Sequence, residues 1–101
     1  MTKLFPVEVA ESAAADFDDI RTWYAEQQIP ETGERVIVEI IFALRQLKQF
    51  PESGRVVPES DDKLYRELIH NPYRVVYKFD GKTVWVVRIW RSERLLDISN
   101  L

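Results

Sequence analysis

Asp80-Gly81 separates two runs of alternating apolar residues, Tyr73 to Phe79 and Lys82 to about Arg91, and this arrangement constrains the chain more than any other feature. Asp and Gly tolerate the positive φ that both central residues of a type I′ turn need, so the segment predicts a β-hairpin with a two-residue loop. Such a loop sets the register. Tyr77 is expected opposite Val84, Val75 opposite Val86 and Tyr73 opposite Arg88 on one face of the hairpin. On the other face Val76 should meet Trp85, Arg74 should meet Val87 and Lys78 should meet Thr83. Both faces are then largely apolar.

Upstream, Leu64 to Ile69 reads as a further strand, with a turn at Asn71-Pro72. The alternation from Leu4 to Val9 predicts a first strand, whose Pro6 suits an edge or a bulge. Between them lie two helices. Ser12 can cap the first, which runs to about Gln28 with Ala13, Phe17, Ile20 and Tyr24 on one side and Asp16, Asp18 and Asp19 near its N-terminus. Pro30 suits the first turn of the second, about Glu31 to Gln49, whose stripe is Val36, Ile37, Ile40, Ile41, Leu44 and Leu47. Phe50-Pro51 ends it, and Pro51 to Asp62 reads as a surface loop.

The order β-α-α-β-β-β predicts an α+β fold, with a helical hairpin packed on a mainly antiparallel four-stranded sheet and the first strand at or near the last. At 101 residues the chain has room for one domain, 1–101. Two helices cover one sheet face. The other is left to the C-terminal tail, a partner chain, or a mixed Trp85, Val87, Ile89, Arg74 and Arg91 surface.

Composition removes most chemistries. The chain has no cysteine, which excludes thiolate catalysis and cysteine-ligated zinc, and its single histidine leaves no His-rich metal site. The three glycines stand alone at 33, 54 and 81, so no phosphate-cradling loop is present. The longest uncharged apolar run, Ile40 to Leu44, spans five residues against the ~20 of a membrane helix. The N-terminal segment meets charge at Glu8 before a secretory core could form, and a cytoplasmic location is expected. No cofactor and no metal is expected.

Charge is uneven. Residues 1–62 hold 6 Lys and Arg against 13 acids, whereas residues 63–101 hold 8 against 4. The C-terminal third therefore offers a cationic surface to an anionic partner, or else neutralises the acidic half internally. Arg66, Arg74, Arg88, Arg91 and Arg94 all fall in or just after the predicted sheet. Arg74 and Arg91 beside Trp85 suit phosphate or carboxylate capture, or pairing with Glu67, Glu93 and the acidic first helix. His70, at a strand end, could serve as a general base, or simply be hydrogen-bonded at a turn. Glu59, Asp61 and Asp62 could assemble paired carboxylates, or form a solvated loop.

Taken in order, several segments resemble the RelE/ParE superfamily of bacterial type II toxins. They are the short first strand, Ala14-Ala15-Asp16-Phe17-Asp18-Asp19-Ile20-Arg21, Phe50-Pro51-Glu52-Ser53-Gly54-Arg55, Tyr73-Arg74-Val75-Val76-Tyr77, and Val84-Trp85-Val86-Val87-Arg88-Ile89-Trp90-Arg91. The resemblance covers nearly the whole chain. It implies a toxin neutralised by a co-encoded antitoxin that wraps across it in a hetero-oligomer, and an uncovered apolar sheet face suits such a partner. RelE-like members cut mRNA in the ribosome with basic residues and a C-terminal aromatic or imidazole group, whereas ParE-like members poison DNA gyrase.

Ser92 to Ile98 offers no Tyr or His where the nucleases place that group, and the net charge of −3 suits ribosomal RNA poorly. The ParE-like branch is therefore expected. In that reading Arg74, Val76, Trp85, Val87, Ile89 and Arg91 contact the antitoxin, and Arg88, Trp90, Arg91, Arg94, Leu95 and Leu96 contact gyrase. The alternative is a ribosome-dependent mRNA endonuclease built on Arg74, Arg66, Arg91 and His70, where Arg74 matches the arginine that stabilises phosphate charge in such nucleases. A third reading is a non-toxic module that binds the antitoxin alone.

Overall fold

The computed structural model describes residues 3–61 and 63–92. Strand β1 (Val7–Val9) leads into helix α1 (Glu11–Glu26) and helix α2 (Pro30–Leu44), followed by a single turn α3 (Gln46–Gln49). Strands β2 (Arg55–Val56), β3 (Tyr65–His70), β4 (Tyr73–Phe79) and β5 (Val84–Arg91) complete it. They form one sheet in the order β1-β5-β4-β3-β2, parallel at β1–β5 and antiparallel elsewhere. The α+β architecture is the expected one, with five strands in place of four. The extra strand is β2, which lies inside the stretch expected to be a loop and pairs Arg55 with Glu67 and Val56 with Arg66. Val57 follows it and is fully buried.

The hairpin forms where expected, but its register differs. Phe79 pairs with Val84, and the Asp80 N–H donates to the Thr83 carbonyl, so the two central residues are Gly81 and Lys82. Only Gly81 needs the left-handed backbone (φ +92°), as in a loop with glycine first. Asp80 instead stands before the loop and accepts the Lys82 and Thr83 N–H groups at 2.8 and 2.7 Å, which hold its carboxyl below the usual range. A β-bulge between Val76 and Tyr77 then shifts the pairing again: Tyr77 meets Val86, but Val76 meets Arg88. A bulge reverses which face later residues point to. Val84, Val86 and Ile89 consequently join the helix-facing core, whereas Val87 and Trp90 lie on the opposite face.

The main core packs Tyr73, Val75, Tyr77, Val84, Val86 and Ile89 against Ala13, Phe17, Ile20 and Tyr24 of α1 and Val36, Ile37, Ile40 and Leu44 of α2. Each large side chain buried there contributes about 1.5–3 kcal/mol before entropy is counted. Ile41, expected in the buried stripe, is half exposed, as are Val38 and Phe42 beside it. On the far face Val57, Tyr65, Val76, Val87 and Trp90 form a second, smaller cluster.

α1 starts one residue before Ser12, and no side chain caps it. Ser12 Oγ instead donates to the Val87 carbonyl of β5 at 2.6 Å. Asp16, one turn later, accepts the Ile89 N–H at 2.8 Å and the Arg88 guanidinium through both oxygens. β1 pairs only with Val84 to Val86, so these α1 side chains stand in for a neighbouring strand along the rest of that edge.

Gly54 lets β2 approach the sheet. Its N–H donates to Tyr77 Oη at 2.9 Å, and a Cβ there would lie 2.6 Å from that oxygen and 2.7 Å from the Glu67 carbonyl. Burial meanwhile pushes the Tyr77 phenol above its ordinary pKa, so its oxygen keeps its proton at neutral pH. Gly54→Ala is expected to cost about 1–3 kcal/mol as overpacking. Urea unfolding should show a lower midpoint at unchanged slope. An unchanged midpoint would mean that β2 can shift off β3 without loss.

Candidate functional site

The structure distributes the arginines into separate groups. Arg74, on β4, points to the face away from the helices and is buried rather than displayed. Its Nε donates to Glu67 Oε1 at 2.7 Å, and its two terminal nitrogens donate to Glu59 at 2.9 Å each. Glu67, whose side chain has no solvent exposure, also accepts Arg55 Nε at 2.6 Å. The bidentate Glu59 contact outweighs burial and raises the Arg74 pKa, so the guanidinium stays charged. Arg74 thus pairs internally, as one of the two readings of the arginines allowed. Glu59 is its clamp, which corrects the reading of that loop as solvated; Asp61 is exposed, and Asp62 lies outside the described residues.

Arg66 lies on β3, where its Nη1 donates to the carbonyls of Glu52 and Gly54 at 3.1 and 2.9 Å and so closes the loop before β2. His70 Nε2 lies 3.1 Å from Glu39 of α2. Arg91 packs its guanidinium 5.5 Å from the Trp23 ring and 5.8 Å from the Tyr73 ring, on the helix side. Burial, then the Tyr24 side chain, pushes the Tyr73 phenol up to about 12. Arg74, Arg66, Arg91 and His70 therefore do not converge on one reacting centre.

The face proposed for a partner is also divided. Arg74, Val76, Trp85 and Val87 lie on the outer side, but the bulge turns Ile89 and Arg91 to the helix side. Of the four outer residues only Trp85, at 36% exposure, offers much surface; Arg74, Val76 and Val87 are buried. At the end of β5, Arg88 lies 4.3 Å over the Trp90 ring while it bonds Asp16. Beside it is a cleft of about 180 Å³ lined by Asp19, Trp23, Tyr73, Arg88, Trp90 and Arg91. Arg94, Leu95 and Leu96 lie outside the described residues.

Glu67 was among the acids expected as partners of the arginines, and it does pair with Arg74. The acidic first helix was expected to supply others, but Asp16, which takes Arg88, was not singled out from Asp18 and Asp19. The signal was its i, i+4 spacing from Ser12, which puts both on one side of α1.

Residues 7–96 match the family described as the ParE toxin of the type II toxin–antitoxin system parDE. A chain of the chromosomal ParDE toxin–antitoxin system from P. aeruginosa is similar in structure, with a TM-score of 0.76 and 26% identity over 90% of this chain and 99% of that one. A chain of the RelBE2 toxin–antitoxin complex from Mycobacterium tuberculosis shares the fold, with a TM-score of 0.62 and 18% identity over 87% of this chain and 98% of that one. A search of curated proteins found no match. The match spans both helices and every strand of the sheet, and on that ground the chain belongs to the ParE toxin family of type II toxin–antitoxin systems.

Proposed function

We propose that the chain inhibits DNA gyrase by protein–protein contact and is neutralised by a cognate antitoxin in a hetero-oligomeric complex in the cytoplasm. The observation that carries this reading is the dispersal of the four groups a nuclease would need. Arg74 is clamped by two carboxylates, Arg66 is spent on carbonyls, and His70 and Arg91 have other neighbours. Phosphoryl chemistry needs such groups within hydrogen-bond reach of one reacting atom. The end of β5, where Arg88 and Arg91 are partly exposed beside the buried Trp90, and the following residues to 101 are the segment proposed to meet gyrase. The antitoxin is proposed to reach the outer face around Trp85.

The test is supercoiling of relaxed plasmid by gyrase with the purified chain titrated in. Inhibition relieved by antitoxin is expected, and deletion of residues 92–101 should abolish it while antitoxin binding persists. A folded chain without effect on gyrase would overturn the reading in favour of mRNA cleavage at the ribosome. Inhibition that survives the deletion would remove the tail from the contact.

A further inference from the structure

We infer that Trp23 of α1, with the cleft it walls between α1 and the end of β5, forms part of the contact with gyrase and receives one apolar side chain of that enzyme flanked by a basic one; this rests on the gyrase reading. The buried side of α1 runs through Ala13, Phe17, Ile20 and Tyr24. Trp23 stands at the margin of that stripe and is 45% exposed, the most exposed of the three tryptophans. Its ring is nevertheless fixed. The Tyr24 ring meets it edge to face at 4.8 Å, and the Arg91 guanidinium lies 5.5 Å from its centre. An indole held in place and open to solvent loses little side-chain freedom when a partner covers it. Tryptophan is also among the residues that dominate binding energy at interfaces.

The cleft beside Trp23 holds about 180 Å³, room for a single large side chain. Ile20, Tyr73 and Trp90 give it apolar walls, and Tyr73 pairs with Arg91 across the β4–β5 ladder. The acids of α1 differ in their engagement. Asp16 is taken by Arg88, and Asp18 by Arg21. Asp19 lines the cleft one turn before Trp23, and among the described residues no basic side chain forms an ion pair with it. An apolar opening with a carboxylate on its rim matches an apolar side chain with a cation beside it.

Position selects the occupant. The Ser92 N–H donates to the Pro72 carbonyl at 2.6 Å, so the chain leaves the sheet next to Tyr73, at the wall of the cleft. Nine residues follow, 93–101, and they belong to the segment proposed to meet gyrase. A partner that meets this segment from its first residue also stands over the cleft. Trp85, where the antitoxin is proposed to reach, lies six residues before Arg91 on β5, about 20 Å along the strand, and on the outer face of the sheet.

Supercoiling by gyrase is measured with the full chain carrying Trp23→Ala and, separately, Asp19→Lys. Each should raise the concentration for half inhibition, Trp23→Ala by tenfold or more, whereas antitoxin binding should stay within twofold of the unaltered chain. Both positions are exposed, and circular dichroism with urea unfolding checks the fold. Trp23→benzoylphenylalanine gives a readout that lost stability cannot imitate. Ultraviolet light should cross-link it to gyrase, and Lys82→benzoylphenylalanine at the hairpin tip should not.

Inhibition that is as strong in Trp23→Ala as in the unaltered chain, or no cross-link from position 23, would overturn the inference and leave the gyrase reading standing. An unaltered, folded chain without effect on gyrase removes both. Loss of antitoxin affinity in Trp23→Ala with inhibition intact would give the cleft to the antitoxin, and a dimer lost in that variant with inhibition intact would give it to a second copy. Either result overturns the inference.

Discussion

Arg74→Ala is expected to lower the unfolding free energy by about 3–5 kcal/mol, a large part of what a domain of this size has. The reason is Glu67. Its carboxylate lies under the sheet with no solvent exposure, and Arg74 and Arg55 supply the two guanidinium groups that compensate it. Arg55 is itself 60% exposed, so once Arg74 is gone its screened charge offsets the buried carboxylate less effectively. Glu59 loses both of its Arg74 contacts at the same time. Replacing Arg74 and Glu67 together by apolar residues of similar volume should cost far less than either single change, because no uncompensated charge is left. Urea unfolding of the two single variants and the double variant measures this directly. A single-variant loss within about 0.5 kcal/mol, ordinary for a surface site, would show that the network is not buried in solution. The result bears on function. A loss of toxicity in Arg74→Ala has to be read against its folded fraction before any role is given to the guanidinium.

The second large effect is expected at Asp16. Asp16→Ala removes the acceptor of the Ile89 N–H and both bonds to Arg88, and should cost about 3 kcal/mol in sum from an unsatisfied buried donor and an orphaned cation. Asp16→Asn keeps an oxygen for the Ile89 N–H but turns donors toward Arg88, so about half of that loss should return. Amide exchange locates the effect. The Ile89 amide should lose protection in Asp16→Ala while amides in the centre of β4 follow the global stability alone. Unchanged protection at Ile89 would mean that α1 does not seal this edge of β5. Arg88 and Trp90 sit on the same stretch, so the alanine variant should also loosen the part of β5 proposed to meet gyrase.

Local patterns carried the architecture. Period-2 alternation around Asp80-Gly81 placed the hairpin, and the spacing of Ala13, Phe17, Ile20 and Tyr24 placed the buried side of α1 correctly. These depend on neighbours within a few residues, which a sequence displays. The register did not follow, because Asp80 can either occupy the loop or bond across it. Its side chain bonds the Lys82 and Thr83 N–H groups and so moves the loop one residue on. The bulge at Val76 and Tyr77 was equally hidden, since an extra residue in one strand leaves no mark in an apolar run such as Val84 to Val87. β2 was hidden for another reason. Two residues have no periodicity, and Arg55–Val56 becomes a strand only because Glu67 and Arg66 lie opposite.

The same division runs through the candidate site. From sequence alone come the missing chemistries, the cationic C-terminal third and the resemblance to RelE and ParE toxins, all set by residue type and local order. Which arginines a partner can reach was decided by tertiary structure. One bulge turned Ile89 and Arg91 toward the helices, and a loop carboxylate closed on Arg74. Sequence distance conceals both events: Asp16 and Arg88, or Glu59 and Arg74, become neighbours only when folding brings charges together that water would otherwise have kept apart.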